Sequence, residues 1–396
     1  MSELTRAHPV VVVGGGVAGT AVALALHRTG HRVLVLERRE APEDGGAGLH
    51  LWGNGTWALD RLGVLGTVMV RAPRQRVCSF LDDRGRALGA WPVAHLEEEL
   101  GCPTIAVERR DLVDALRAAL PDEVIRVGAS ARAIEQDDEG VRVFLEDGTS
   151  VEGVLAVAAD GVHSRIRQSL PGARPVRRHG YVTWRARVRS QFVQPGTFEA
   201  YFGPGQRFTY YDVAPGVVHW MAVVESAEDV ESGEGALEEL RGRFATWPWA
   251  VRELLIQEPL DGLLRHEVVD RDPERAWGIG RVTVAGDAAH PITFNLGQGA
   301  SQALEDALEL AACLEHVDPG DPQEALRRYE RARRRRTAPL QRLARGIGRL
   351  GRLSGSVGVR VRRLVMGAAW DRAAYGGTRR DVQYAVNRFQ QEAKAW

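Results

Sequence analysis

An apolar run, a glycine cluster and a second apolar run follow one another near the N-terminus. Val10–Val13 is an unbroken β-branched stretch, which is typical of a central parallel strand covered on both faces. Residues 17–26 are apolar, rich in alanine and free of proline, which favours a helix buried against a sheet. Residues 32–36 return as a second strand and end at the acidic Glu37. The segment therefore predicts a strand–helix–strand unit of a parallel α/β sheet.

The glycines between the first strand and the helix have the spacing of a dinucleotide-binding turn. Gly14, Gly16 and Gly19 fit G-x-G-x-x-G, which allows a tight turn, close approach to a pyrophosphate and close helix–strand packing. The helix N-terminus offers free N–H groups to phosphates, and Glu37 can accept hydrogen bonds from a ribose diol. A glycine-rich turn without a ligand is the alternative. The pattern alone leaves open whether the dinucleotide is NAD used as a co-substrate or FAD kept in place.

A second apolar segment also ends in a glycine turn. Residues 282–285 predict a short strand that runs into Gly286 and Asp287, so the carboxylate lies where open α/β sheets bind ligands. Further on, apolar side chains recur at helical spacing, with acidic side chains on the other side. The apolar set is Leu304, Leu308 and Ala311, and the acidic set is Glu305, Asp306 and Glu309. Residues 297–300 therefore begin a helix, whose N-terminal N–H groups attract negative charge.

The middle of the chain has the pattern of a mostly antiparallel sheet. Apolar and aromatic residues interleave with Gly-Pro and Pro-Gly turns, as expected for hairpins. These residues are Tyr201, Phe208, Tyr210, Trp220 and Met221. Beyond them, residues 322–351 predict one long arginine-rich helix and residues 355–396 a further helical segment. The arginine run at 332–336 is interpreted as a solvated or domain-bridging helix face rather than a nucleic-acid site.

The composition is that of a globular enzyme and excludes several other classes. The 396 residues are 44% hydrophobic and 26% charged, and 52 basic residues balance 52 acidic ones. This balance gives no global reason to bind nucleic acid or an anionic membrane. No apolar stretch approaches the roughly 20 residues of a membrane span, and a cytoplasmic protein is expected.

Two residue types narrow the chemistry. Cys78, Cys102 and Cys313 are scattered without C-x-x-C spacing, so we expect neither a disulfide framework nor a zinc site, and we predict no metal. Lys394 is the only lysine and lies in the terminal tail. It disfavours a P-loop enzyme and a pyridoxal phosphate enzyme, because both need a lysine at the site.

Three motifs together resemble a known family. The N-terminal glycine fingerprint is followed by A-D-G-x-x-S-x-x-R at residues 159–167, and then by G-D-A-A-H-P and G-Q-G-A within residues 286–300. In this order they are similar to the single-component FAD-dependent aromatic hydroxylases, flavoprotein monooxygenases with the fold of para-hydroxybenzoate hydroxylase. The resemblance covers about residues 9–345. It implies an α/β protein, with a Rossmann-like FAD-binding domain, a mostly antiparallel β-sheet substrate domain and C-terminal helices.

The same resemblance suggests which residues hold FAD. Asp287 would contact the ribityl and pyrophosphate region, and the helix that begins at residues 297–300 would face the pyrimidine edge of the flavin. Arg109 would reach FAD from a helix start, with Arg110 as the competing candidate. The candidate FAD-binding residues are Gly14, Gly16, Val17, Ala18, Gly19, Glu37, Arg38, Gly48, Arg109, Asp160, Gly286, Asp287, Gly297, Gly299 and Ala300.

The implied reaction needs FAD, NADPH or NADH, and O2. NAD(P)H would reduce FAD, O2 would add to form a C4a-(hydro)peroxyflavin, and one oxygen atom would go to an electron-rich aromatic small molecule. Phe294 stands where the family usually has proline, so we expect it at the flavin's reactive edge against the substrate. Another departure is W-G-N-G at residues 52–55, where a Pro-Asn pair is more usual.

Four further residues are candidates on the substrate side. His50, Tyr210 and His219 are alternative general bases, although each can instead be a packed core or loop residue. Arg185 matches a family arginine on the sheet and can contact flavin or nicotinamide; a cross-strand salt bridge is the alternative. No carboxylate-clamping pair is recognisable in the sequence, which favours a medium-sized, mostly apolar aromatic substrate over a small benzoate.

The motif positions imply a discontinuous domain organisation. The predicted FAD-binding domain comprises residues 1–72, 99–173 and 267–340. The substrate-binding sheet domain comprises residues 73–98 and 174–266, and residues 341–396 form the C-terminal helical segment.

Other functions were weighed against aromatic hydroxylation. Epoxidation, Baeyer–Villiger insertion and a non-catalytic FAD-binding sensor stay open. A flavin-dependent halogenase is disfavoured because the motif it needs is missing. An NAD-dependent dehydrogenase is disfavoured because it would leave G-D-A-A-H-P and G-Q-G-A unexplained. We expect no nucleic-acid partner and no membrane span, and either a monomer or a homodimer.

Overall fold

The computed structural model describes residues 8–40, 48–225, 235–315, 321–368 and 370–390. Residues 41–47 and the tail that carries Lys394 lie outside these ranges. Cys78, Cys102 and Cys313 are buried, and no disulfide joins them.

Seventeen strands are described. In chain order they are β1 Val10–Val13, β2 Val33–Leu36, β3 Gly48–Leu51, β4 Val77–Asp82, β5 Ala87–Trp91, β6 Ile105–Glu108, β7 Ile125–Arg126, β8 Ala131–Gln136, β9 Val141–Leu145, β10 Ser150–Gly153, β11 Leu155–Ala158, β12 Arg177–Arg189, β13 Thr197–Phe202, β14 Arg207–Ala214, β15 Val217–Glu225, β16 Leu264–Asp270 and β17 Val282–Val284.

Twelve α-helices are described in the same ranges. They are α1 Val17–Arg28, α2 Gly53–Arg61, α3 Leu65–Met69, α4 Ala94–Leu100, α5 Arg109–Ala118, α6 Arg165–Ser169, α7 Ala236–Arg243, α8 Trp249–Ile256, α9 Gly299–Leu314, α10 Gln323–Gly351, α11 Gly355–Ala368 and α12 Trp370–Gln390. Short 3-10 turns lie at Asp122–Val124, Gly286–Ala288 and Phe294–Leu296.

A parallel five-stranded sheet forms the centre of the nucleotide-binding part. Its strand order is β17-β11-β1-β2-β7, and each neighbouring pair is parallel. All four valines of β1 are buried, as expected for a strand covered on both faces. α1 and α9 pack against each other beside the sheet. Gly19 allows α1 to lie close to the turn after β1, because a Cβ added at Gly19 would be 1.8 Å from the Gly14 carbonyl oxygen.

A seven-stranded sheet, here called the roof sheet, has the order β16-β12-β15-β14-β13-β4-β5. Its pairs are antiparallel except β4 with β13. Because side chains alternate between the faces of a strand, the roof sheet has two distinct sides. Trp184, Phe208 and Trp220 point to the outer face, where helices α7 and α8 cover them. The opposite face, called the inner face, packs against the nucleotide-binding part.

The C-terminal helices close one end of the inner face. Met366 of α11 packs on Ala200 and Phe202 of β13, and Tyr375 of α12 packs near Trp91 of β5. The predicted further helical segment is therefore two helices. The fold class inferred from the sequence is confirmed. The predicted domain boundaries stay predictions, and β16 runs across the boundary placed at residue 266.

A buried ion cluster joins α9 to α10. Arg333 donates from Nε to Asp306 Oδ1 at 2.6 Å and from Nη1 to Glu305 Oε2 at 2.7 Å. All three side chains are fully buried, with 0% exposure. The acids expected on the polar side of α9 therefore face the partner helix. Interpreting the arginine run as a solvated face is wrong for Arg333, which bridges two helices, although Arg335 is exposed.

Two features are absent from the described ranges. No helix in them is long and apolar enough to cross a membrane. Within the same ranges, no group of three or more histidine, cysteine, aspartate or glutamate side chains is arranged to hold a metal ion.

Replacing Arg333 by alanine is expected to destabilise the fold strongly. Removing one partner of a buried ion cluster leaves uncompensated charge, at a cost of about 3–5 kcal/mol in the free energy of unfolding. Urea denaturation measures this loss. Arg335→Ala removes an exposed arginine two positions away, and a change within about 0.5 kcal/mol is expected. Equal losses in the two variants would contradict the assignment.

The same cluster makes stability sensitive to acid. Burial alone would raise the pKa of Glu305 and of Asp306, but nearby cations lower both. Arg333 and then Arg336 lower the pKa of Glu305, and His290 and then Arg333 lower that of Asp306. The stabilisation is fully present above the ordinary carboxyl pKa of about 4 and is lost as the pH falls through the lowered folded-state pKa.

Candidate active site

The turn after β1 leaves backbone N–H groups open at the start of α1. Gly14 has φ 103°, a conformation that favours glycine. α1 has no side-chain cap and no acidic residue in its first turn, so the N–H groups near Val17 and Ala18 can bind an anion. The nearest atom to a Cβ added at Gly16 would be Arg109 Nη2, at 3.8 Å. The Arg109 side chain therefore lies beside the glycine-rich turn.

Glu37 is held in position at the end of β2. The Gly15 N–H donates to its Oε2 at 2.6 Å, and the Arg39 N–H donates to its Oε1 at 2.9 Å. A carboxylate oxygen can accept more than one hydrogen bond, so both oxygens keep capacity for a ribose diol. Arg38 beside it is exposed, and its predicted contact with the cofactor stays a prediction.

The turn at Gly286–Ala288 is fixed through its backbone. The Gly286 N–H donates to Asp306 Oδ2 at 2.7 Å, and Arg271 Nη2 donates to the carbonyl oxygens of Asp287 and Ala288 at 3.0 Å and 2.8 Å. Gly286 has φ 60°, and a Cβ there would lie 2.5 Å from the Ala18 Cβ. The turn therefore docks on the first helix of the glycine fingerprint.

The Asp287 side chain stays accessible above this fixed turn. Burial among protein atoms raises the pKa of its carboxyl group, while His290, Arg109 and Arg271 oppose that shift. Asp287 thus faces the same space as Arg109 and is available to accept hydrogen bonds there.

The start of α9 is held by the segment that departs from the family pattern. Trp52 Nε1 donates to the Leu296 carbonyl at 2.9 Å, and Asn54 Nδ2 donates to Gln298 Oε1 at 3.0 Å. Gly297, with φ 62°, leaves room for the indole, since a Cβ there would lie 3.1 Å from Trp52 Nε1. The first N–H groups of α9, near Gly299 and Ala300, have no intrahelical partner and are available to an anion.

Asp160 lies in the turn after β11. Its Oδ2 accepts from the Arg165 N–H at 3.2 Å, and burial raises the pKa of its carboxyl group. Oδ1 is buried and has no hydrogen-bond partner among the described residues. Arg167 of the same motif is fully buried against Glu274, with Nε to Oε2 at 2.6 Å. In this motif, Arg167 therefore has a structural role, while Asp160 Oδ1 still has the capacity to accept a hydrogen bond from a ligand.

Gly48 and His219 join the nucleotide-binding part to the roof sheet. The Gly48 N–H donates to His219 Nδ1 at 3.1 Å, and Tyr211 donates its hydroxyl to the Gly48 carbonyl at 2.9 Å. A Cβ at Gly48 would lie 2.7 Å from the His219 Cβ. The absence of a side chain at Gly48 therefore allows the roof sheet to pack closely at this point. His219 uses Nδ1 to hold this backbone, which differs from the predicted role as a general base.

The prediction that Tyr210 faces the pocket is wrong. Its ring packs in the outer-face core, and its hydroxyl donates to Glu199. Tyr211, which the sequence analysis did not select, points to the inner face because neighbouring strand residues alternate. Its ring stacks on Phe198, with centroids 5.6 Å apart.

His50 is a buried histidine in an aromatic cage. Its ring centroid lies 4.6 Å from that of Trp52, 5.1 Å from Phe198 and 5.9 Å from Tyr211. Neither ring nitrogen has a hydrogen-bond partner among the described residues. Burial lowers the pKa of His50 to about 3, so the ring is neutral at physiological pH.

Phe294 lies in the loop before α9, and Arg185 lies in the roof sheet. Phe294 is partly exposed, and its ring packs against the inner-face residue Tyr181, with ring centroids 6.4 Å apart. Arg185 is paired in register with Met221 and Leu264, so neither directly opposite residue offers a carboxylate. Burial lowers the pKa of Arg185; Arg109 lowers it further, and Tyr211 opposes.

These features fit FAD. Two uncapped helix starts can bind phosphate and a flavin ring edge, and acidic residues at three strand ends can bind ribose and ribityl hydroxyls. An extended dinucleotide needs such donors and acceptors along one cleft.

A comparison with protein families agrees with this geometry. The profile described as FAD binding domain matches residues 7–344. The chain belongs to this family of flavoprotein monooxygenases.

Characterised relatives cover nearly the whole chain. Aurachin C monooxygenase/isomerase of Stigmatella aurantiaca is 32% identical over 376 residues, which are 95% of this chain and 98% of that protein. 3-Amino-4-hydroxybenzoate 2-monooxygenase of Streptomyces platensis is 38% identical over 88% of this chain and 90% of its own. Among solved structures, HpxO of Klebsiella pneumoniae with FAD and uric acid aligns with TM-score 0.88 at 26% identity, covering 96% and 99% of the two chains.

The protein is thus an FAD-dependent, NAD(P)H-consuming monooxygenase. The predicted cofactors, FAD with NAD(P)H and O2, are confirmed at the level of the family. The contacts of individual residues with FAD remain predictions.

Asp287→Asn is expected to release most of the FAD from a yellow purified protein. Losing a charged acceptor in an enclosed site costs about 1.5–3 kcal/mol, or roughly tenfold to a hundredfold in affinity. Flavin absorbance per protein after dialysis, and titration with added FAD, measure the effect. Asp147→Asn, in the exposed turn after β9, is the matched control. The same FAD affinity in Asp287→Asn and wild type would refute the contact.

Proposed function

We propose that the protein hydroxylates an electron-rich aromatic molecule held between the flavin and the inner face of the roof sheet. The observation that supports this best is the position of Phe294. Its ring is partly exposed and packs on the inner face, and the residue lies five positions before Gly299, where α9 begins. A planar aromatic ligand at this junction would contact apolar side chains on one side and the cofactor cleft on the other.

Named residues would hold FAD in this proposal. The turn from Gly14 to Gly19 and Arg109 would bind the pyrophosphate, and Glu37 the ribose. Asp287 would bind the ribityl chain, and the first N–H groups of α9 the flavin ring. Bound FAD supplies the redox chemistry, taking electrons from NAD(P)H and delivering one oxygen atom of O2 to the substrate.

The protein's own contribution is orientation and exclusion of water. Phe294, Tyr211 and Phe198 present ring faces and edges to the site, so water is displaced when a planar ligand binds. His50 would accept a hydrogen bond from a substrate hydroxyl, because its ring nitrogens are buried, neutral and unpartnered within the described chain. Such a bond places electron density on the ring that is to be hydroxylated.

We also propose that the enzyme acts in the cytoplasm, as a monomer or a homodimer. Cys78, Cys102 and Cys313 are buried and form no disulfide with one another, which suits a reducing compartment, where NAD(P)H is available.

Substrate-stimulated oxidation of NAD(P)H tests the proposed activity. A panel of phenols, aminophenols, quinolines and purines is added to the FAD-loaded enzyme, and products are analysed by mass spectrometry under isotopically labelled O2. The expected product carries one labelled oxygen on a ring carbon. An epoxide or a ring-expanded ester would move the enzyme to the alternative chemistries, and no stimulation by any compound would indicate a sensor.

Phe294→Ala is expected to uncouple the reaction while FAD content stays nearly unchanged. Removing a ring that contacts substrate weakens its binding by at most about 1.5–3 kcal/mol and admits water. More hydrogen peroxide per NAD(P)H consumed is therefore expected. Phe192→Ala, which truncates a partly buried ring beside the outer-face core, is the matched control. If Phe294→Ala instead lost about 3–5 kcal/mol of stability with coupling unchanged, Phe294 would be a core residue.

His50→Leu is expected to lower kcat/KM by about two- to tenfold, the effect of one lost hydrogen bond. The pH profile between about pH 5 and 9 should keep its shape, because His50 is neutral throughout that range. His50→Gln restores an acceptor and should recover part of the rate. An inflection near the ordinary histidine pKa of about 6.5 that disappears in His50→Leu would contradict this role.

A further inference from the structure

Arg207 is a buried arginine at the substrate end of the inner face. It begins β14 and is paired in register with Phe202 and Val223. Only 5% of the residue is exposed. Its guanidinium carbon lies 5.1 Å from the centroid of the Phe294 ring and 5.9 Å from that of Phe202. The cation therefore sits directly beside the residue that marks the proposed substrate site.

One edge of this guanidinium has no protein partner. Nε and Nη2 are both buried, and neither has a hydrogen-bond partner among the described residues. The N–H groups of Nε and Nη2 lie side by side on one edge of the planar guanidinium. This arrangement can bind the two oxygens of a carboxylate.

Other fully buried arginines are better satisfied. Arg333 pairs with two carboxylates and Arg167 with one, while Arg271 and Arg362 donate to backbone carbonyls. Arg207 differs from all four, because it has neither a described ion pair nor a described backbone acceptor. A buried cation without a counter-charge is costly, so its retention calls for an anion supplied from outside the chain.

The surroundings of Arg207 add positive charge. Burial, aided by Arg352 and Arg362 and opposed by the Tyr181 hydroxyl, lowers the pKa of Arg207 to about 10. The Arg352 guanidinium carbon lies 4.5 Å from the centroid of the Tyr181 ring. The groups with the largest effect on the pKa of Arg207 include no carboxylate. An incoming anion would therefore meet two arginines and a tyrosine hydroxyl.

We propose that the Nε–Nη2 edge of Arg207 binds the carboxylate of the aromatic substrate, so that the enzyme is selective for aromatic acids. This inference rests on the proposed function and specifies its substrate class. The edge is closed to solvent in this structure, so binding requires the partly exposed Phe294 ring to shift. Among 51 arginines nothing in the sequence distinguishes Arg207, which is why no carboxylate clamp was recognised there.

Matched acid and amide ligands test the proposal on the FAD-loaded enzyme. Binding of 3-hydroxybenzoate and 3-hydroxybenzamide, and of 3-amino-4-hydroxybenzoate and its amide, is measured by the change in flavin absorbance and by calorimetry. At least one acid should bind wild type about 10- to 100-fold more tightly than its amide. Arg207→Gln should weaken acid binding by the same factor and change amide binding by less than about threefold.

Two further variants separate charge, geometry and packing. Arg207→Lys keeps the charge but loses the paired donors, so its acid affinity should fall between those of wild type and Arg207→Gln. Arg265→Gln removes an exposed arginine of the same sheet, next to outer-face Trp184, and should behave as wild type. FAD content and melting temperature report whether each variant is folded. If Arg207→Gln does not fold, Arg207→Lys and the acid–amide comparison in wild type decide.

Four outcomes would overturn the proposal. The acids and amides could bind wild type equally, or Arg207→Gln could weaken both equally, which would make Arg207 a packing residue. A change in KM for NADPH but not for NADH in Arg207→Gln would assign the edge to the nicotinamide cofactor's phosphate. If neutral phenols or quinolines stimulate NAD(P)H oxidation while no acid does, the proposed function stands and only this inference fails.

Discussion

The active-site cleft depends on one buried carboxylate, that of Asp306. It accepts the Gly286 N–H at 2.7 Å, lies 2.6 Å from His290 Nε2 and pairs with Arg333. A single side chain thus fixes the turn that carries Asp287, the helix α9 on which it resides, and the long helix α10. The neighbouring Glu305 extends the network to Asn54, at 2.7 Å, and so to the start of α2. Because every member is buried, the network positions groups on four elements without leaving space for water to loosen them.

Periodicity and glycine spacing were enough to predict the nucleotide-binding half. β1, α1 and β2 lie within a residue or two of the predicted bounds, because an unbroken apolar run and an alanine-rich stretch each admit one buried conformation. The helix that begins near residue 299 was equally clear. Its acidic side was not, since a charged helix face looks the same in sequence whether water or a partner arginine faces it. Arg333 and Arg335 can be told apart only once α10 has been placed against α9.

The roof sheet shows the opposite limit. Tyr210 and Tyr211 are adjacent, and a shift of one residue in register exchanges the faces to which they point. The sequence indicated strands rich in aromatic residues but did not fix that parity, so the wrong tyrosine was selected. Gly48 and His219 are a related case: both belong to the site region, but their contact joins residues far apart in the chain and has no local signature.

The pairing of β4 with β13 has a consequence for how the protein is made. β4 lies between two segments of the nucleotide-binding part, yet its parallel neighbour in the roof sheet is formed by a later stretch of the chain. β17 and α9, which complete the parallel sheet and its helical cover, come later still. Neither half can finish folding while its partner strands are still being synthesised, so contacts of large sequence separation must close late and slowly. Until then, the exposed edges of β1 and β4 are open to pairing with other chains, and the yield of active enzyme depends on the rate at which those edges are covered.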